Sequence, residues 1–402
     1  MFTTHRKKDN LSLHFYKINF LLKLLGLCIL CRISQRMSQL HQVALTFVKN
    51  IGPAHAKLLM SYLGGAEKIF TVSKAKMLKI PGIGEKTISQ LNLSEALALA
   101  EKELNYVAKN NIDVIFYTDS RYPKRLKNCV DSPVLLYAKG NADFNNYKVI
   151  SIVGTRNATD YGKQLCKQLV EELEQYNVLI VSGLAHGIDV AAHKECLKNN
   201  VPTVGVLGHG LDKMYPSQNR ATAEKMLENG GLLTEYPSGT VPDRENFPQR
   251  NRIVAGLADA TVVVEASVKG GALITAEIAN SYNRDVFAFP GRVGDPFSEG
   301  CNFLIRNNKA ALLTCVADLA YSLGWEKPDN SGAVPQQFML PIDLSANEQT
   351  IYNIIQQHNL PVAIDDLTIK SNMPMSQLAM NLLNMEMQGY IRSLPGKMYQ
   401  VS

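Results

Sequence analysis

The chain reads as an α/β protein built on a parallel sheet with helices on both faces. Six short, continuously apolar segments predict it: 149–153, 178–181, 203–207, 232–235, 260–265 and 286–289. Helical patterns alternate with them, as at 161–176, 188–199 and 221–229. Strands apolar at every position are buried on both faces, and parallel neighbours need crossover helices. Each segment is also followed by a loop rich in Gly, Ser, Thr or Arg, and right-handed crossovers would bring all six loops to one edge of the sheet.

The chain has 402 residues, room for two or three domains, with 46% hydrophobic and 19% charged residues, a globular composition. Its net charge of +6 invites a polyanion partner. The distribution weakens that reading. Seven of the 42 basic residues but one of the 36 acidic ones lie in residues 1–36, so residues 37–402 balance at 35 each. The first 36 residues have the basic start and apolar stretch of a signal peptide. Lys23 interrupts the stretch, no small-x-small cleavage site follows, and the run is too short and charged to span a bilayer. Translation is expected to begin at Met37, with 1–36 a leader outside the native protein; a signal sequence and a disordered extension are the other readings. Cys28 and Cys31 fall in that leader, and the other five of the seven cysteines show no pairing or metal-ligand spacing. A reduced, cytoplasmic protein without metal or cofactor is expected.

Residues 37–110 lack strand signals and form a helical front domain. Two units, NIGPAHAKLLMSYLG (50–64) and IPGIGEKTISQL (80–91), each set a glycine turn before a helix. In the second, Gly82 and Gly84 would let backbone amides approach a phosphate at a helix N-terminus, with Lys86 adding charge. The pair resembles a tandem helix-hairpin-helix module; an ordinary glycine-capped αα-hairpin is the alternative.

The sheet domain, 111–325, begins with short strands at 114–117 and 134–138 around a YPKRL turn. Its six strand-end loops start with GTRNATDYG, SGLAHGID, GHGLDKMYP, YPSGTVPDRENFPQRNR, ASVKGGALIT and PGRVGDPFSEGCN. Neither GxGxxG nor GxxxxGK[ST] is present. No Ser-His-Asp set or nucleophile elbow can be assembled. His186, Asp189 and His193 have helix-compatible spacing, but Asp189 suits a helix cap and His193 an inner helix face. Glu265 and Glu277 are the only carboxylates placed for catalysis beside the glycine loop, and both suit structural work. The loops offer donors and cations, the chemistry of a binding site. The stretch 247–279 adds an aromatic ring, arginines and a Gly-Gly helix start, as a ligand bearing bases and phosphates requires.

Taken together, VGTRNATDYG, SGLAHGIDVAAH, VGVLGHGLDKMYP, LLTEYPSG, FPQRNRIVAGLADATVVVEA, GGALITAEIA, VFAFPG and GCNFLI resemble the DprA/Smf family of DNA-processing proteins, in order and at the family's spacing across residues 115–315. The resemblance implies an extended Rossmann-like domain. It implies a non-enzymatic protein, usually a dimer, that binds single-stranded DNA, protects incoming strands in natural transformation and helps load RecA recombinase. Carried onto this chain, it makes Arg156 a DNA-pocket arginine beside Gly154 and Thr155. Phe247 would stack a base, with Arg250, Asn251 and Arg252 near the phosphates. Lys269, Gly270, Gly271, Ser182, Gly183 and His186 would line the same edge. Where relatives often carry a base in SGLA-x-GID this chain has His186, and Ser217 stands where a lysine can occur, so the pocket is expected to be less cationic. With a neutral body, Arg156, Arg250, Arg252, Lys269 and Arg292 must supply the charge locally. One of the paired arginines, Arg252, is expected to brace the loop through Asp243 or Glu245.

After a polar linker at 326–339, residues 340–402 read as three helices and a strand pair, a winged helix, in which acids outnumber bases and the recognition helix has almost no cations. A duplex reader needs cations there. A protein-contact or regulatory role is expected. The main alternative for the whole chain is a Rossmann-like nucleotide-processing enzyme of the phosphoribohydrolase type.

Overall fold

The computed structural model describes residues 36–326, 344–356, 361–371, 373–394 and 397–401. The expected leader, except residue 36, and the expected linker, except residue 326, lie outside the described residues. The chain divides into two compact units, Met1–Pro328 and Asp329–Ser402.

Unit one carries a nine-stranded sheet. Its strands are β1 (Asp113–Phe116), β2 (Leu135–Gly140), β3 (Lys148–Val153), β4 (Val178–Ser182), β5 (Thr203–Val206), β6 (Gly230–Thr234), β7 (Ala260–Val263), β8 (Asp285–Ala288) and β9 (Ala311–Leu312). The order is β1-β2-β6-β5-β4-β3-β7-β8-β9. From β6 to β9 all pairs are parallel, whereas β2 joins β6, and β1 joins β2, antiparallel. The six predicted apolar strands are β3 to β8. The two-residue β9 is too short to show a pattern in sequence.

Both faces of the parallel strands are covered, which is why they are apolar throughout. Val149, Val153, Leu179 and Val181 pack with Ile253, Val254 and Leu257 of helix Asn246–Leu257 on one side. Ile150, Ile152, Val178 and Ile180 pack with Leu165, Leu169 and Leu173 of helix Asp160–Leu173 on the other. Removing one of the buried Leu or Ile side chains to alanine costs about 2–5 kcal/mol.

The chain starts the parallel sheet at β3 and moves outward through β4, β5 and β6. Helix Asn246–Leu257 then returns it across the sheet to β7, on the other flank of β3. The connections leaving β3 and β7 therefore diverge and open a crevice at the strands' C-terminal ends, the usual ligand position in such sheets.

The front helices do not stand apart from the sheet. Val43, Leu59, Ile69 and Leu104 share one core with Val114, Phe116, Leu135 and Tyr137 of β1 and β2. These strands present apolar side chains to both neighbours, so the helical segment is a layer of unit one rather than a free domain. Buried Glu103, in helix Leu93–Lys109, reinforces the joint by accepting hydrogen bonds from the backbone and hydroxyl of Ser238.

Unit two has helices Ala346–Gln356, Ile364–Ser371 and Met375–Met387 with a small sheet of β10 (Val362–Ala363), β11 (Ile391–Leu394) and β12 (Met398–Val401), in the order β10-β12-β11. Its own core is formed by Ile351, Ile355, Leu367, Leu378, Leu382 and Met385, among others. This is a winged-helix arrangement.

Candidate nucleic-acid interface

A cleft of about 650 Å³ lies at the switch point between β3 and β7. Five of the six expected loops supply its walls. They contribute Gly154, Thr155 and Arg156 after β3, and Gly183 and Ala185 after β4. Tyr215 follows β5, Arg244, Phe247 and Asn251 follow β6, and Gly270 and Gly271 follow β7. The sixth loop, after β8, is not part of the wall. It folds on itself through paired hydrogen bonds between the Gly291 backbone and the Asn302 amide, at 3.1 and 3.0 Å, and Arg292 leaves the cleft with it.

Arg156 is exposed, and its guanidinium carbon lies 5.8 Å from the centroid of the Phe247 ring. Phe247 occupies the first turn of helix Asn246–Leu257, and Tyr215 lies beside it, ring centroids 5.8 Å apart and 31° from coplanar. A Cβ on Gly208 would stand 3.1 Å from the Phe247 ring, so the glycine leaves the ring its seat. Half-exposed Tyr215 extends the aromatic surface into solvent. Charge over an aromatic face suits a stacked base with an adjacent phosphate.

The loops are tied to one another by backbone hydrogen bonds. Thr155 N–H donates to the Glu265 carbonyl at 2.7 Å, and Ile188 N–H donates to the Thr155 carbonyl at 3.1 Å. A Cβ on Gly154 would meet the Ile188 side chain at 2.5 Å, and one on Gly187 (φ 78°) would meet the Thr155 carbonyl at 2.2 Å. These two glycines permit backbone contact that no other residue allows. The Thr155 hydroxyl accepts from Asn157 N–H at 3.1 Å.

The paired arginines both work inside the protein. Arg250 is 5% exposed and donates to the Val206 carbonyl. Its guanidinium and the Asp189 carboxylate converge on Gly183, where a Cβ would stand 2.3 Å from one and 2.6 Å from the other. Burial pushes the Arg250 pKa down and Asp189 opposes it; burial pushes the Asp189 carboxyl up and Arg250 opposes that. Arg250 thus forms a charged floor to the cleft. Arg252 braces the loop as expected, but through Glu235 and the Asp131 carbonyl rather than Asp243 or Glu245. Positions two apart on a helix point about 200° apart, so these neighbours reach opposite partners. Ser182 is not on the cleft surface. It closes β4, fully buried, with its hydroxyl donating to the Ile152 carbonyl at 2.6 Å.

Gly271 starts helix Gly271–Ser281 at the cleft, and a Cβ there would meet nothing within 4 Å. Lys269 is exposed on the loop before it, outside the cleft lining. Exposed Arg244, which the sequence reading passed over, lines the cleft; its loop was recognisable but its direction was not. His186 is exposed in an adjoining groove. In the front layer, Gly82 takes a left-handed turn (φ 85°), and Gly84 precedes the five-residue helix Glu85–Ser89, with Lys86 exposed.

The carboxylates weighed for catalysis are engaged. Glu265 is 2% exposed and accepts from the Thr159 backbone at 3.0 Å and its hydroxyl at 2.5 Å. Glu277 pairs with Lys309 at 3.0 Å. His193 is fully buried, bonded through Nδ1 to Thr203, and burial followed by the Arg250 charge pushes its pKa down to about 3. Among the described residues no group of three or more His, Cys, Asp or Glu could hold a metal, and no helix is long and apolar enough to cross a membrane.

Residues 113–324 match the family model of DNA recombination-mediator protein A, and residues 336–397 match that of the DprA winged helix domain. Protein Smf of Synechocystis sp. is 32% identical over 398 residues, covering 90% of this chain and 98% of that one. DNA processing protein DprA of Streptococcus pneumoniae is 41% identical over 201 residues, covering 50% and 71%. The X-ray structure of DprA from Streptococcus pneumoniae matches with a TM-score of 0.60 at 31% identity, over 70% of this chain and 95% of that one. With its sheet unit matched across more than half the chain, this protein belongs to the DNA recombination-mediator protein A family.

Proposed function

We propose that this recombination mediator binds single-stranded DNA in the cleft at the β3–β7 switch point. A base stacks on the Phe247–Tyr215 pair, Arg156 and Arg244 meet the flanking phosphates, and the start of helix Gly271–Ser281 offers backbone amides to another. The observation that carries the reading is Arg156 set 5.8 Å from the Phe247 ring in an open cleft of about 650 Å³. Charge over an aromatic face grips any base and any phosphate, so the site binds without reading sequence. By the DprA/Smf resemblance, the protein acts as a cytoplasmic homodimer that protects incoming DNA during natural transformation and helps load RecA recombinase. The nucleotide-processing alternative draws no support from its two candidate carboxylates, since Glu265 is buried against Thr159 and Glu277 forms a surface ion pair with Lys309.

Fluorescence anisotropy with labelled oligo-dT at two salt concentrations tests the cleft. Arg156→Ala and Phe247→Ala should each weaken binding by about 5- to 100-fold, the range of one lost stacking or charged contact. Arg156→Ala should also flatten the salt dependence by about 0.7 in log–log slope. Wild-type affinity in both variants would remove the cleft from the binding site.

A further inference from the structure

Arg156 lines two openings. Beside the cleft lies a second groove of about 660 Å³, walled by Arg156, Asn157, Lys163, His186 and Lys194 over a floor that includes Val190 and Ala191. Its cations Arg156, Lys163 and Lys194 stand on three separate elements: the loop after β3, helix Asp160–Leu173 and helix Ile188–Lys198. Lys194 and His186 are exposed; Lys163 is shared with Asp160 at 3.0 Å. The one carboxylate in the wall, Glu195, is drawn off by Lys198 at 2.6 Å. The groove therefore faces solvent with a surplus of positive charge. Its lining contains no Phe, Tyr or Trp, unlike that of the cleft.

We infer that this groove is the continuation of the single-stranded DNA path. Bases are held in the aromatic cleft, the backbone turns over Arg156, and the next phosphates run along Lys194, His186 and Lys163. The inference rests on the cleft reading and adds a division of labour to it. One opening stacks bases and fixes the strand; its neighbour takes only backbone charge, so its contribution is electrostatic and depends on strand length. Gathering cations on one edge in this way lets a chain with a near-neutral body grip a polyanion.

The test uses the full chain, labelled oligo-dT of about 5 and about 20 nucleotides, and the variants Lys194→Glu, Lys163→Glu and Phe247→Ala. Lys194→Glu should weaken the long oligonucleotide by roughly 3- to 10-fold and reduce its salt slope by at least about 0.7, while leaving the short one unchanged. Lys163→Glu should act in the same direction. Phe247→Ala should weaken both lengths. If both lysine variants bind the long oligonucleotide as wild type does, or weaken both lengths equally, the groove is not a path and the inference falls. If Phe247→Ala binds both lengths normally, the cleft reading itself has failed, a separate result.

Discussion

Arg156 and Arg250 are both arginines of the cleft, yet they do opposite work. Arg156 is exposed, with a ring as its neighbour, so its removal costs the fold little. Arg250 is buried with its donor on the Val206 carbonyl and its charge against Asp189. Taking Arg250 away leaves the Val206 carbonyl without its donor and the buried Asp189 without its nearby countercharge, at a cost of about 1–3 kcal/mol. Arg250→Ala should therefore lower the melting temperature by several degrees, whereas Arg156→Ala should leave it within about a degree and lose DNA affinity instead. Paired melting and binding curves separate the two; equal stability in both variants would contradict a structural Arg250. The motif around residues 247–252 was legible in the sequence, but this partition was not. Burial of Arg250 depends on Val206 and Asp189, more than 40 and 60 residues away, meeting it across the sheet. Tyr215 escaped notice for the same reason, because only the β5 loop's direction puts its ring against Phe247.

At the scale of elements, alternating apolar strands and helices foretold the sheet, and topology alone chose which loops converge. The loop after β8 is also rich in glycines and charges, yet its Gly291–Asn302 closure draws it away. Helix Gly271–Ser281 is a sharper case, because its first glycine has no packing duty. At Gly154 and Gly187 a methyl group would collide with neighbouring protein atoms; at Gly271 it would enter open space. On stability grounds alone, Gly271→Ala should be neutral or gain about 0.4–1 kcal/mol, since alanine loses less chain entropy in a helix. If a DNA backbone approaches that helix start, the same methyl should lower oligo-dT affinity roughly tenfold, equivalent to about 1.4 kcal/mol. A variant that melts no lower and binds as tightly would show that the strand does not pass there.

For the whole molecule, what matters is that the two units hold separate cores and differ in charge. Every residue lining the cleft lies between Val153 and Thr275, inside the first unit. The second unit has its own core around Ile351, Leu378 and Met385, and its acids serve it locally. Glu348 accepts from Ser345 at the start of its helix, Asp365 and Asp366 lie in the first turn of helix Ile364–Ser371, and Glu386 accepts from Ser393. On helix Met375–Met387 the outward positions Met380, Leu383 and Met387 are apolar, 57–81% exposed, where a duplex reader would carry cations. Such a surface offers a polyanion no charge to pair with. A chain ending at Pro328 should therefore melt cooperatively and bind 20-nucleotide oligo-dT within about twofold of the full chain, with the same salt slope. Losing more than about tenfold would place DNA contacts in the winged helix. Retained affinity would leave its exposed methionine face for a protein partner.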